Sequence, residues 1–298
     1  MKMAEAEARM KQELLSIYGE GESVAITAMA MDAIIGRERS WRQLEKEEAL
    51  TAEQQKQFAE YLEKLKAEEP VQYVLNRCWF SDMELYVDPA VLIPRPETEE
   101  LVDWIIKDVK AAGLDVFSKK KIESDKTNTL KILDVGTGSG CIALALKKAM
   151  PLAEVWACDV SEEALTVARR NGAALDIRVD FQGVDFLNKA AQKGLPTVDI
   201  IVSNPPYVPL RDKESMHANV LDHEPHLALF VPDEDPLVFY KAIAEFGHHR
   251  LHQNGCIYLE IHEDLAPEVT ALFKNYGYKI VEVKKDMQGK DRMVKVSG

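Results

Sequence analysis

Apolar positions in residues 1–69 recur at helical spacing, and this stretch predicts helices only. Two helices are expected over 4–18 and 23–35, the first stopped by Gly19 and Gly21 and the second by Gly36. Ser40-Trp41-Arg42-Gln43 and Thr51-Ala52-Glu53-Gln54 both fit a capping box, in which a hydroxyl and a carboxamide three residues on satisfy each other's backbone donors. The second box opens a helix whose buried face would be Phe58, Leu62 and Leu65. The pattern then changes. Val71, Tyr73 and Val74, Trp79 and Phe80, and Leu85, Tyr86 and Val87 read as a strand pair. Pro94 and Pro96 bar a helix before about Thr98, after which Leu101, Val102, Ile105, Ile106 and Val109 mark one. Residues 118–129 are polar without apolar period and read as a mobile surface loop.

From Lys131 short β-branched runs alternate with longer periodic stretches. Strands are expected over 131–135, 154–158, 177–182, 198–202, 255–260, 279–284 and 293–296. Helices are expected over 141–149, from near Ser161, over 237–246 and over 266–275. This alternation implies an α/β fold: a Rossmann-like, mostly parallel sheet with an antiparallel last strand and helices on both faces, preceded by a small all-α domain. The domain reading is 1–69 helical, 70–96 hairpin and hinge, 97–298 the α/β domain. Residues 208–235 carry Pro209, Pro225 and Pro232 and little period, and a loop this long suits a lid or substrate rim.

Chemistry gathers at the ends of the expected strands. Gly136-Thr137-Gly138-Ser139-Gly140 separates a strand from an apolar helix. Its glycines let backbone approach a ligand, and the helix N-terminus suits a carboxylate. The spacing differs from the dinucleotide Gly-x-Gly-x-x-Gly, so a structural turn, a nicotinamide cofactor and S-adenosylmethionine all stay open. Asp159 ends the next strand, where an acid can accept from ribose hydroxyls or cap the following helix. Asp185 could accept from an adenine amino group and Phe186 pack on its ring, or both could be plain loop and core.

The fourth strand runs into Asn204-Pro205-Pro206-Tyr207. Two prolines end the strand, and the residue before a proline is pushed out of helical φ/ψ. The Asn204 amide is thereby held at the carboxyl end of a strand, where open α/β sheets place ligands. Acceptors beside the Tyr207 ring suit a planar group bearing NH2. The reading makes Asn204, Pro205 and Tyr207 catalytic, with Pro206 stiffening the turn. The Asn204 side-chain oxygen and the Pro205 carbonyl would accept from the two N–H groups of an amide or an amino-purine.

Composition narrows the partners. The chain has 298 residues, 46% of them hydrophobic, and a net charge of -13. Such an acidic protein lacks the basic footprint of a nucleic-acid or membrane-surface binder. Cys78, Cys141, Cys158 and Cys256 form no Cys-x-x-Cys pair and are expected as free thiols in a reducing cytoplasm. His217, His223 and His226 match no metal spacing, and neither do His248, His249 and His252, so no metal is expected. Residues 1–69 carry ten basic and fifteen acidic residues, and this bundle is either a structural cap or a docking module.

Asn-Pro-Pro-Tyr resembles the signature of methyltransferases acting on planar amide or amino nitrogens. With the glycine loop and Asp159 the chain looks like a class I S-adenosylmethionine-dependent methyltransferase. The helical N-terminus, Ile93-Pro94-Arg95-Pro96-Glu97-Thr98, Glu224-Pro225 and Gly289-Lys290-Asp291-Arg292 are similar to the release factor glutamine methyltransferases (PrmC/HemK) over essentially the whole chain. Phe186 stands where relatives often have Trp, and the 118–129 stretch looks longer than usual. The resemblance implies S-adenosylmethionine as cofactor, with S-adenosylhomocysteine as product. Its binding would fall to Gly136, Thr137, Gly138, Ser139, Gly140, Asp159, Asp185, Phe186 and Asn204. It implies as substrate the glutamine of the Gly-Gly-Gln loop in bacterial peptide chain release factors, methylated on its side-chain nitrogen and held by Asn204, Pro205, Pro206 and Tyr207. A cytoplasmic monomer is expected. The alternatives are another protein glutamine, or an adenine or cytosine amino group of nucleic acid.

Overall fold

The computed structural model describes residues 1–37, 46–114, 116–117, 129–215 and 218–298. The chain divides into two compact units, one of Met1–Arg77 with His217–His223, the other of Cys78–Met216 with Glu224–Gly298.

The first unit is helical. One helix, Met3–Ile35, covers both expected helices and is interrupted only at Gly19, where φ 74 and ψ 179 leave helical geometry. Glycine tolerates that backbone without a Cβ clash. Gly36 ends the helix at φ 69, its N–H bonded to the Asp32 carbonyl. The Thr51–Gln54 box forms as expected: the Thr51 hydroxyl accepts from the Gln54 N–H at 3.2 Å, and the Gln54 carboxamide from the Thr51 N–H at 3.0 Å. It opens the helix Ala52–Lys66, which buries Phe58, Leu62 and Leu65 against Met10, Leu14, Ala30 and Met31. The box at Ser40 and the 118–129 loop lie outside the described residues, apart from Thr129.

Val71–Val74, expected as strand, is a helical turn. The Pro70 carbonyl accepts from the Tyr73 and Val74 amides at 2.9 and 3.0 Å. Burial of Val71 and Val74 in the helical core overrides their β-propensity.

The second unit opens with a short hairpin, β1 (Cys78–Phe80) and β2 (Met83–Leu85), antiparallel. The helix Pro96–Ala111 follows, with proline in its first turn, where the missing N–H costs nothing. The main sheet is built from β3 (Lys131–Val135), β4 (Glu154–Asp159), β5 (Asp180–Gly183), β6 (Val198–Ser203), β9 (Leu251–Glu260), β10 (Ile280–Lys285) and β11 (Asp291–Ser297). Its order is β10-β11-β9-β6-β3-β4-β5, parallel except that β11 runs antiparallel to both neighbours.

Successive residues feed two separate cores, as a two-residue strand period requires. Ile132, Ile200 and Tyr258 pack on one face with the helices Pro96–Ala111 and Cys141–Ala149. Leu133, Ile201 and Ile257 pack on the other with Val238–Arg250 and Ala266–Asn275. The chain winds outward from β3 through β4 and β5, then returns to place β6 on the other side. The crevice between the carboxyl ends of β3 and β6 is therefore the topological switch point.

Residues 208–235 hold more structure than their pattern predicts. β7 (Val208–Pro209) pairs in parallel with β8 (Phe230–Val231), and Leu210–Ser215, Ala218–His223 and His226–Ala228 are short helical turns. Two-residue strands and single turns are too short to show a period. The four cysteines are free. Among the described residues no helix is long and apolar enough to cross a membrane.

Candidate functional site

The glycine loop leaves β3 under tight control. The Gly136 and Thr137 amides both donate to the Cys158 carbonyl at the end of β4, at 2.9 and 3.0 Å. The Thr137 hydroxyl donates to Asp134 Oδ2 at 2.6 Å, and the Gly138 N–H to Asp159 Oδ2 at 2.9 Å. Gly138 sits at φ 54, with open space where a Cβ would project. Gly140, at φ 82, is hemmed in, because a Cβ there would lie 3.2 Å from both Ala168 Cβ and Leu144 Cδ1.

Asp159 joins the loops that follow β3 and β4. Its second oxygen accepts from the Ser161 N–H at 3.0 Å, while Ser161 itself caps the helix Glu162–Ala174. Burial raises the Asp159 carboxyl above its ordinary value, opposed by these backbone donors. Asp134 lies deeper, and burial pushes it up to about 7 despite its bond from Thr137. Asp134 Oδ1 and Ser139 Oγ are buried with no hydrogen-bond partner among the described residues. Beyond β5, Asp185 accepts from the Leu187 N–H at 3.0 Å, and Phe186 is buried against Phe246 with ring centroids 5.2 Å apart.

The proline corner closes the opposite wall. Ser203 ties the end of β6 to the end of β3, its hydroxyl donating to the Val135 carbonyl at 2.6 Å. Asn204 Nδ2 donates to Thr98 Oγ1 at 3.1 Å. Thr98 Oγ1 donates to Glu260 Oε2 at 2.7 Å, and the Tyr207 hydroxyl to Glu260 Oε1 at 3.1 Å. Glu260, at the end of β9, is fully buried; burial raises its carboxyl while the Thr98 and Tyr207 hydroxyls and Arg292 draw it down. Arg95 and Glu224 form a 2.6 Å ion pair, and Glu224 also accepts from the Ile93 N–H at 3.3 Å. The Glu224 side chain is only 2% exposed, so the pair carries a buried charge.

One cavity of about 350 Å³ is lined by both walls. Gly136, Thr137, Gly138, Ser139, Asp159, Asp185 and Phe186 face it from one side, Thr98, Asn204, Pro205 and Pro206 from the other. Arg95, Pro225 and Leu227 line it as well. Gly140 and Tyr207 do not. Gly140 is packed behind the loop, and Tyr207 turns its hydroxyl to Glu260 beside a separate hollow with His262 and Arg292. Volume and lining are those of a small-molecule site, apolar walls with a few convergent polar groups.

Three participants escaped the sequence reading. Thr98 reads in the sequence only as the start of a helix, and Glu260 only as the end of a strand. Asn171 is buried in the helix Glu162–Ala174, donates to the Tyr86 and Ser139 carbonyls at 3.0 and 2.9 Å, and accepts from the Tyr86 N–H at 2.7 Å. A polar residue inside an apolar helical face was the available signal for it.

A seven-stranded sheet of this order, with a glycine loop and a proline corner facing each other at its switch point, is that of a class I methyltransferase. The hMettl16 catalytic domain, solved in complex with MAT2A 3'UTR hairpin 6, shares the fold at TM-score 0.53 and 14% identity, over 82% of this chain and 81% of that one. Residues 112–225 match the methyltransferase small domain family, and residues 5–75 the PrmC N-terminal domain family. A release factor glutamine methyltransferase of Flavobacterium psychrophilum is 42% identical over 96% of this chain and 95% of its own. One of Bacteroides thetaiotaomicron is 40% identical over 96% and 97%. The chain belongs to the release factor glutamine methyltransferase family.

Proposed function

We propose that this enzyme transfers a methyl group from S-adenosylmethionine to the side-chain amide nitrogen, N5, of the glutamine in the Gly-Gly-Gln loop of peptide chain release factors. The observation that carries this reading is the Asn204-Pro205-Pro206 corner lining the same cavity as the glycine loop and Asp159. The orphaned Ser139 hydroxyl and the positive-φ glycine loop fit a polar nucleoside cofactor. The Gly136, Thr137, Gly138 and Gly140 amides are already donated within the fold, so the N-terminus of the helix Cys141–Ala149 would hold the cofactor's carboxylate, Asp159 its ribose hydroxyls, and Asp185 with Phe186 its base.

Bound there, S-adenosylmethionine supplies a methyl group already activated by a cationic sulfur. The residues of the chain then have to position a weak nucleophile, because an amide nitrogen shares its lone pair with the carbonyl. Asn204 Oδ1 and the Pro205 carbonyl accept from the two N–H groups of the glutamine carboxamide. Held by both, the nitrogen is oriented along one line, positive charge developing on it meets two fixed oxygens, and as the N–CH3 bond forms one of its two N–H protons is lost to water, since neither oxygen is basic enough to keep it. Pro206 keeps that turn rigid. Tyr207 and Ser203 brace the corner from behind through Glu260 and Val135. The helical unit is read as the docking module for the release factor, whose RNA-facing tip would suit an acidic partner.

Incubation with recombinant release factor and labelled S-adenosylmethionine, followed by peptide mapping, tests the proposal. Label is expected on the Gly-Gly-Gln glutamine alone. Label elsewhere, or none, refutes it.

A further inference from the structure

We propose that Thr98 and Glu260 determine which end of the Asn204 side chain faces the substrate, and so act as positioning residues for methyl transfer. The inference rests on the glutamine-methyltransferase reading for its consequence, although the relay itself stands on the geometry. A carboxamide is nearly symmetric in shape, with an oxygen at one end and NH2 at the other. Only the oxygen end can accept from a substrate N–H. Something must therefore forbid the flipped rotamer.

The forbidding group is two bonds away. Glu260 is buried, and each of its oxygens takes a hydroxyl, Thr98 at 2.7 Å and Tyr207 at 3.1 Å. As the carboxylate, Glu260 has no hydrogen to offer, and both hydroxyls point their hydrogens at it. The only hydrogen on Thr98 Oγ1 is then committed. What Oγ1 shows Asn204 is lone pairs, which fits the NH2 end at 3.1 Å. Flipping the amide would set two acceptors against each other inside a half-buried site and leave the buried hydroxyl without its second partner. Each bond in the relay polarises the next. The three residues come from the start of the Pro96–Ala111 helix, the end of β6 and the end of β9, so the amide is referred to a rigid frame.

A purely structural cluster would hold the same atoms together without caring about the direction of the hydrogens. Glu260→Gln bears on the two cases, because it keeps shape and puts an NH2 in place of one oxygen. Turned toward Thr98, that NH2 donates to its Oγ1, whose hydrogen swings to Asn204 and invites the oxygen end inward; turned toward Tyr207, it leaves the relay intact. Thr98→Val keeps shape and removes both bonds.

The test uses the full chain as wild type, Thr98→Val, Thr98→Ser and Glu260→Gln. Turnover with release factor is expected to fall about a hundredfold in Thr98→Val and about thirtyfold in Glu260→Gln, the scale at which misaimed groups lose rate. KM for release factor and affinity for S-adenosylmethionine should stay within about threefold, because remote contacts still bind both. Thr98→Ser should recover most of the rate lost in Thr98→Val. In parallel, hydrogen exchange of the Asn204 side-chain amide, assigned by Asn204→Asp, should be at least about tenfold faster in Thr98→Val than in wild type. Exchange that is unchanged, or a Thr98→Val rate within about threefold of wild type, overturns the relay. Should Thr98→Val not fold, Thr98→Ala, which removes the same hydroxyl with less bulk, decides the matter by the same two readouts. A wild type that methylates no release factor would refute the proposed function, while the exchange measurement would still decide the relay.

Discussion

The two walls of the cavity are held by different kinds of bond. On the glycine side, backbone amides do the holding: Gly136 and Thr137 donate to Cys158, and Gly138 donates to Asp159. On the proline side, a chain of side chains does it, from Asn204 through Thr98 and Glu260 to Tyr207. A backbone wall depends on conformation, so it is sensitive to glycine replacement and indifferent to most other changes. A side-chain wall depends on single atoms, so isosteric substitutions that leave the fold intact can abolish its work. The difference predicts that lesions on one wall read out as binding and lesions on the other as turnover.

The largest effect tests that division directly. Asn204→Ala removes the oxygen that would aim the amide, and turnover is expected to fall about a thousandfold. Affinity for S-adenosylmethionine, measured by calorimetry, should change by no more than about threefold, because the glycine wall is untouched. Loss of both together would mean that the walls are one unit.

Next comes the reverse lesion. Gly138→Val places a β-branched side chain at φ 54, a backbone costing about 1–2 kcal/mol for such a residue. Nothing in the protein blocks its Cβ, so the side chain projects into open space at a cavity-lining position. Cofactor affinity should drop about a hundredfold, while the thermal midpoint falls by only a few degrees. A large loss of stability with intact affinity would place the strain elsewhere.

How far each wall could be read in advance follows from the same distinction. The glycine loop announces itself through three glycines between a strand and a helix, and the helix Cys141–Ala149 falls where its pattern puts it. Asn204 to Tyr207 is equally visible, because consecutive prolines can end a strand in few ways. The partners of that corner are not visible. Thr98 and Glu260 lie 106 residues before and 56 residues after Asn204, on a helix and a strand whose own patterns explain them fully. Only the sheet order, which puts the ends of β6 and β9 side by side, brings them together. The same reason hid Asn171, whose partners Tyr86 and Ser139 are 85 and 32 residues away. The helical turn at Val71–Val74 is not legible in the sequence because local β-propensity is a weak guide once burial decides the conformation.

Asn171 sharpens the comparison because it is a side chain serving the backbone wall. Asn171→Ala would leave the Tyr86 amide, the Tyr86 carbonyl and the Ser139 carbonyl without their partner. Each such loss costs about 1 kcal/mol or more, so a destabilisation of about 3 kcal/mol is expected in urea titration. Cofactor affinity should weaken as the loop loosens, with turnover at saturating cofactor nearly retained. Its lesion would then belong with Gly138→Val and not with Asn204→Ala.

The smallest effect concerns pH and comes from Asp134, beneath the glycine loop. Its carboxyl is raised by burial to about 7, against an ordinary value of 3.8. The folded state therefore holds this proton more tightly than the unfolded chain does. Between about pH 4 and pH 7 the unfolded chain gives it up first, so the group's contribution to stability falls as pH rises and stays low above pH 7. Asn at this position cannot ionise, yet its carbonyl can still accept from Thr137. The full shift corresponds to at most about 4 kcal/mol, and protein relaxation reduces what is observed. Stability of Asp134→Asn relative to wild type should therefore be greater by roughly 2 kcal/mol at pH 8 than at pH 5, measured by urea unfolding at both values. Equal differences at the two pH values would mean that Asp134 ionises as freely in the folded protein as in water. In that case the floor of the glycine wall would be open to solvent, and the contrast between a dry backbone wall and a polar side-chain wall would fail at its base.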